Sequence, residues 1–424
     1  MKNTKRLLAL AVSAALTAPM SAFATNGMLL EGYGPIATGM GGASMAYDNG
    51  TAAMMNNPAT LGLMGEGSRF DLALGHMAPD VTFDGSAVGM DKYKSKANSF
   101  FMPAIGWVKK DGDMVYGIGV FAQGGMGVDF RGVGGMGDNG NMFSQVSVGR
   151  LILPFAYNVN EKLSLGATIE YVWANLDLQA FDTDGASYAA GFKFKDSSDF
   201  TGEASASGFA GKLGLVYQVN GQFNIGAAYH SRGNLGDLTG ASGNMWYMDF
   251  VDPDNNFDMP AKFKFKGFDM PAVIALGMSF QPSDRLMIAA DVKQIQWSDT
   301  MKTPSLISSL DPDNPMQFEQ KWKDQNVLSI GAAYQFNDAF VGRIGANIAD
   351  NPVPDSTLNP LFPATVKSHY TLGFGYNFND KQSMDFSLAH APSTTATASA
   401  DNMMPGMKVK HGQTNWQLMY SHRF

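Results

Sequence analysis

The sequence predicts an all-β fold: a 14-stranded antiparallel transmembrane β-barrel plugged by an N-terminal hatch. Three observations carry this expectation. The chain opens with an export segment, and beyond it no apolar run nears the 18 residues a spanning helix needs. Segments of period-two alternation recur, with apolar faces that end in aromatics. Short and long connections alternate strictly between those segments.

The export segment comes first. Lys2, Lys5 and Arg6 give a positive start, Leu7 to Ala18 an apolar stretch, and Ala22-Phe23-Ala24 a small-residue cleavage site. Residues 1–24 are therefore read as a signal peptide, with the mature chain beginning at Thr25.

The composition narrows the class. Glycine makes up 48 of 424 residues, about 11% against an average near 7%. Charged residues are 16% and aromatics 12%, and hydrophobic residues at 45% exclude a disordered chain. Mean hydropathy is −0.11, too low for a helical membrane protein. The absence of cysteine removes thiol nucleophiles, disulfides and Cys-ligated zinc. The six histidines (His76, His230, His369, His390, His411 and His422) offer no local metal-ligand spacing, and no cofactor is expected. A net charge of −8 without a basic patch argues against nucleic acid.

Residues 25–67 fit no spanning strand and are rich in Gly, Ala, Met and Asn. A barrel of this size encloses more space than its own side chains fill, since about eight strands suffice for a filled interior. The segment reads as a plug inside the lumen, with a periplasmic tail as the other reading. Residues 68–424 form the barrel.

The strand at 162–177 shows the barrel pattern most clearly. Leu163, Leu165, Ala167, Ile169, Tyr171 and Trp173 share one face; Ser164, Gly166, Thr168 and Glu170 share the other. The same alternation marks 366–378 and the terminal 412–424, which closes on Phe424. Further strands are expected near 68–78, 97–109, 114–123, 144–157, 207–219, 222–232, 267–281, 285–299, 322–336, 340–350 and 383–391. Short turns fall at 110–113, 158–161, 220–221, 282–284, 337–339 and 379–382, each with turn-forming Asn, Asp, Gly or Pro. Long loops fall at 79–96, 124–143, 178–206, 233–266, 300–321, 351–365 and 392–411.

The longest two loops hold Phe181, Tyr188, Phe192, Phe194, Phe200, Trp246, Tyr247, Phe250, Phe257, Phe263 and Phe265, with several methionines. Exposed loops seldom carry such apolar content unless they bind something. Phe181, Phe192, Trp246, Tyr247 and Phe250 are the expected capture residues; packing of the loops on one another is the compatible alternative. The lumen charges expected from strand parity are Arg150, Glu170, Asp291, Lys293, Arg343 and Lys367. A basic one among Arg150, Lys293, Arg343 and Lys367 could hold a carboxylate, or the charges pair with one another or with the plug. The cluster Gly124-Gly125-Met126-Gly127 marks either a bend in the wall or the start of the following loop.

One set of motifs goes further. These are Asn26-Gly27, Gly39-Met40-Gly41-Gly42-Ala43, residues 46–48 and Asn57-Pro58-Ala59-Thr60-Leu61. Downstream follow Tyr116-Gly117-Ile118-Gly119-Val120-Phe121, Pro271-Ala272-Val273 with Gly277, Asp291 and Trp297-Ser298. Arg343-Ile344-Gly345-Ala346-Asn347, Phe362-Pro363-Ala364 and His369-Tyr370-Thr371-Leu372-Gly373 complete the series. In order and spacing the chain resembles the FadL/TodX family of outer-membrane transporters. That resemblance implies passive passage of hydrophobic compounds, chiefly long-chain fatty acids or else neutral aromatic hydrocarbons. It implies capture among the extracellular loops, a lumen site against the hatch, and sideways exit where the third strand is kinked, at Gly124 and Gly125. The family's fatty-acid branch carries a basic residue that falls near Asn175 here, which weakens carboxylate recognition. The expected partners are the solute and the outer-membrane lipid and lipopolysaccharide around a monomer.

Other classes fit less well. Ser368-His369 and Ser421-His422 are adjacent within strands, so each pair points to opposite faces and forms no catalytic dyad. A general porin would have a charge-rich, unplugged lumen. A surface adhesin leaves the hatch-like start unexplained.

Overall fold

The computed structural model describes residues 26–132, 140–183, 187–195 and 203–424. The export segment lies outside the described residues.

Residues 26–66 enter the barrel as a hatch: one short helix, α1 (Pro35–Gly39), and 3-10 turns at Gly50–Met54 and Pro58–Leu63. Asn57 caps the second turn by accepting from the Ala59 amide at 3.1 Å, and Pro58 opens it without an unpaired N–H.

The strands follow. The first group is β1 (Gly67–Asp84), β2 (Lys92–Lys94), β3 (Phe100–Asp111), β4 (Met114–Phe130), β5 (Met142–Asn158) and β6 (Leu163–Thr183). Next come β7 (Tyr188–Phe194), β8 (Ala204–Asn220), β9 (Phe223–His230), β10 (Leu238–Asp249) and β11 (Phe257–Lys266). Then β12 (Val273–Ser283), β13 (Leu286–Ile295), β14 (Ser305–Ser308), β15 (Met316–Gln317) and β16 (Gln325–Gln335). The chain ends with β17 (Phe340–Ala349), β18 (Ser368–Asn379), β19 (Gln382–Thr397) and β20 (Lys408–Arg423).

The expected count of fourteen strands is corrected: one continuous sheet holds twenty. Loops at 79–96, 178–206, 233–266 and 300–321 contribute strands of their own, because their aromatic-rich segments also alternate and pair. Barrel pairing skips these insertions. β1 joins β3, β6 joins β8, β9 joins β12 and β13 joins β16, all antiparallel. β20 pairs with β1 over sixteen positions, Arg69↔Arg423 to Asp84↔Lys408, so the last strand closes the wall on the first. The inserted strands β7, β10, β11, β14 and β15 extend the sheet past the barrel rim.

Burial along the strands runs opposite to that of a soluble protein. On β6, Leu165, Ile169 and Tyr171 are exposed, while Ser164, Thr168 and Glu170 are buried in the lumen. Exposed apolar side chains continue around the wall through Leu213, Leu276, Ile330, Ile344 and Leu372. This is a barrel with a lipid-facing band and a polar interior.

Candidate transport path

The hatch packs on the lumen wall through glycine. A Cβ at Gly106 would overlap Thr51, at Gly166 Ala59, at Gly226 Met45, and at Gly331 Met40. The wall lacks side chains where the hatch backbone comes closest. Polar contacts fix the hatch on these notches. Ser44 N–H donates to Asp291 Oδ2 at 2.6 Å, Lys293 Nζ to the Gly42 carbonyl at 2.7 Å, and Thr51 N–H to Asp71 Oδ2 at 2.8 Å. Asn57 Nδ2 donates to the Met45 carbonyl at 2.7 Å and to Leu215 at 3.1 Å. Lys212 Nζ donates to the carbonyls of Met54, at 3.2 Å, and Met55. Burial pushes the Tyr33 and Tyr47 hydroxyls far above the usual tyrosine range, so both act as neutral donors, to the Gln123 carbonyl at 2.6 Å and the Ala43 carbonyl at 2.5 Å.

Beside the hatch lies a set of buried charges. Arg150 on β5 donates through Nη1 to Glu170 on β6 and through Nε to Gln123 Oε1 at 2.5 Å. Glu170 also takes Thr168 Oγ1 at 2.6 Å and lies 3.0 Å from His230 Nε2 on β9. Arg343 pairs with Asp385 at 2.7 Å. The structure thus brings Arg150, Lys293 and Arg343 into the lumen, each already held by a partner. Lys367 does not join them: it lies just before β18, exposed, where strand parity no longer applies. Lys212 and His230 escaped the sequence reading. Their signal was the outward run Leu213, Leu215, Tyr217 on one strand and Ile225, Tyr229 on the other, which turns both inward.

The wall is incomplete at one seam. β3 and β4 pair from Asp111↔Met114 to Ala104↔Phe121 and no further. β3 continues along β1 to Phe100, and β4 continues along β5 to Phe130. Residues 100–103 and 122–130 therefore face each other without a ladder. A bulge between Ala122 and Gly124 leaves Gln123 out of the β4–β5 register. The seam closes again where Lys96 N–H donates to the Asp129 carbonyl at 2.9 Å and Asp129 N–H to Ser95 Oγ at 3.0 Å. The hatch occupies the space behind it. Gly125 N–H donates to the Met28 carbonyl at 3.2 Å, and a Cβ at Gly124 would overlap that carbonyl. Gly124 and Gly125 thus lie within β4, beside the seam.

One apolar cluster links the loops to this seam. Phe192 and Phe194 of β7, Phe263 and Phe265 of β11, Phe318 and Trp322 pack in it together with Met28 and Leu29 of the hatch and Met126 and Val128 of β4. Phe194 and Phe263 stack at 5.0 Å, and Trp297 meets Trp322 edge-on at 5.1 Å. The five capture residues expected from sequence divide. Phe192 is fully buried in the cluster and Phe181 packs against it. Trp246 is buried beside Gly191. Tyr247 stacks with Tyr188 and Phe257 toward the far end of β10, and Phe250 is exposed there. Phe200 lies outside the described residues.

Two cavities flank the leading segment of the hatch. One of about 50 Å3 adjoins the seam, lined by Leu30, Met77, Met102, Phe121 and Ala122. The other, about 70 Å3, lies between Leu29, Tyr33, Lys212, His230, Lys293 and Ile295. Each is far smaller than a ligand pocket of several hundred Å3, so passage of a solute requires side chains or the hatch to move.

Known proteins share this architecture. The chain matches the family model described as outer membrane protein transport protein (OMPP1/FadL/TodX) over residues 11–421. It is 27% identical to the Pseudomonas putida toluene transporter TodX, with a TM-score of 0.80 and coverage of 93% of this chain and 99% of that one. The Ralstonia pickettii toluene transporter TbuX is 28% identical, with a TM-score of 0.73 and the same coverage. The long-chain fatty acid transport protein of Escherichia coli strain K12 is 22% identical over 420 residues, covering 91% of each chain. Family members are transport channels rather than enzymes. The chain belongs to the OMPP1/FadL/TodX family and is an outer-membrane β-barrel channel for hydrophobic compounds.

Proposed function

We propose that the chain carries long-chain fatty acids passively across the outer membrane, by loop capture, lumen binding and lateral release. The observation that supports this reading is the apolar cluster that runs from β7 and β11 to Leu29, Met126 and Val128. Its inner end meets a cavity lined by Lys212, His230 and Lys293 together with one carboxylate, Glu31. An acyl tail fits the first environment and a carboxylate the second. The unpaired stretch between β3 and β4 offers the exit toward lipid. The relationship to a long-chain fatty acid transport protein agrees.

A second reading, neutral aromatic hydrocarbons, has its own support. Lys212 and Lys293 already donate to hatch carbonyls, and two toluene transporters share the fold and about a quarter of the residues. Uptake of labelled palmitate and labelled toluene, measured in cells carrying the wild type and Lys212→Met with Lys293→Met, separates the two. The fatty-acid reading expects palmitate uptake by the wild type and its loss in the variant. Toluene uptake without palmitate uptake overturns it.

A further inference from the structure

Beyond the outer aromatic girdle, the wall at the β1–β20 closure continues outward as a four-strand patch. Cross-strand pairs define two rows. Thr395 of β19 lies opposite Lys410 of β20, which lies opposite Thr82 of β1, itself opposite Lys94 of β2. One step outward the row reads Thr397, Lys408, Asp84 and Lys92, with the Asp84 carboxylate in the place of Thr82, between two lysines that attract it. The inward side chains of the same strands, Val81, Phe83 and Val409, are buried in the apolar cluster, and Tyr93 stacks on Phe83. All four lysines are exposed and project from the outer surface of the barrel.

This concentration of lysine is not compositional, since the chain carries 38 acidic against 30 basic residues. Asp80 offsets Lys94 through a 2.8 Å ion pair. Asp84 accepts from the Ser86 amide and hydroxyl. Lys92, Lys408 and Lys410 take part in no ion pair among the described residues. Thr82 stands between Lys410 and Lys94, and Thr395 and Thr397 flank Lys410 and Lys408 on β19.

The height of the patch selects its partner. His76 stacks on Trp416 at 5.5 Å and contacts Phe101 at 4.9 Å, which marks the outer girdle on these strands. Thr82 and Asp84 lie six and eight residues farther along β1, roughly 20–25 Å at about 3.3 Å per residue. With a strand tilt of about 40° they stand roughly 15–20 Å above the girdle. In a Gram-negative outer leaflet that depth holds the phosphorylated sugars of lipopolysaccharide. Lysine recognises phosphate as a point charge, and threonine hydroxyls hydrogen-bond sugars and phosphate oxygens.

We propose that the β19–β20–β1–β2 face binds the phosphates of one lipopolysaccharide molecule, through Lys92, Lys94, Lys408 and Lys410. The test measures lipopolysaccharide retained by the full-length protein after detergent extraction and washing. It also measures binding of the wild type to vesicles containing lipopolysaccharide or its dephosphorylated form. The quadruple variant Lys92→Gln, Lys94→Gln, Lys408→Gln, Lys410→Gln should retain several-fold less, with heat-modifiable gel mobility preserved. The variant Lys262→Gln, Lys264→Gln, Lys266→Gln on β11 removes a similar charge elsewhere and should retain the wild-type amount. Dephosphorylation should weaken wild-type binding several-fold, a readout that needs no substitution. Wild-type retention by the quadruple variant, equal loss in the β11 variant, or indifference to dephosphorylation each overturns the proposal.

Discussion

Leu29 of the hatch forms an antiparallel β-bridge with Gly124 of β4. The bridge sits where β4 has left β3, so the leading residues of the hatch make a backbone contact there that β3 does not. A solute leaving sideways must pass this contact.

The first prediction follows from it. Gly124→Val with Gly125→Val places two branched side chains against the Met28 carbonyl and in the seam. Uptake of a hydrophobic solute should fall several-fold while surface expression and ligand capture survive. Uptake at the wild-type rate would exclude exit at this position.

The hatch itself should close the pore. Deleting residues 27–61 removes the partners of Lys212, Lys293 and Asp291 and empties the lumen between glycine notches. A barrel that still shows heat-modifiable mobility should conduct ions in planar bilayers far more than the wild type. Unchanged conductance would contradict the plug.

The division of the loop aromatics makes the capture site testable. Phe192→Ala and Phe263→Ala cut into the buried cluster, where each ring supplies about 2 kcal/mol of apolar contact. Affinity for a hydrophobic fluorophore should drop for these two. Phe250→Ser, at an exposed position near the end of β10, should leave it unchanged. The reverse ranking, read by fluorescence titration, would move the capture site to that end.

The charge network bears on stability. Arg150→Met leaves Glu170 buried without its guanidinium partner, a loss of about 3–5 kcal/mol for breaking a buried pair. The variant should unfold at lower urea concentration. Adding Glu170→Gln should recover part of the loss, because no uncompensated charge then remains. Equal stability of the single and double variants would show that His230 and Thr168 suffice to hold Glu170.

Much of this fold was legible because lipid imposes a strict alternation. Leu165, Ile169 and Tyr171 could be assigned outward, and Glu170 inward, from sequence alone. The loop strands obey the same rule in plain view. Phe192-Lys193-Phe194-Lys195 and Phe263-Lys264-Phe265-Lys266 each turn phenylalanine toward the cluster and lysine outward. Sequence alone gives them as loop, because they lack the aromatic-to-aromatic span of a membrane strand. Lys367 departs from parity for the opposite reason: it precedes Ser368, the first ladder residue of β18. The seam was half legible. Glycine clustering pointed to residues 122–127, but where the β3–β4 ladder stops depends on pairing that no single segment encodes.

The glycine notches constrain how anything can move. Gly106, Gly166, Gly226 and Gly331 belong to β3, β6, β9 and β16, which stand on different sides of the lumen. A body keyed into grooves on several sides cannot be drawn out like a cork, because each groove would meet the bulk of a neighbouring segment. From Met40 onward the hatch is effectively frame. The run ahead of α1, residues 26–31, is held differently: its glycine notch, Gly124, and its bridge both lie on β4 alone, at the unpaired seam. Under the lateral-release proposal, movement of these few residues on one strand opens the seam while the rest of the hatch stays keyed in the lumen.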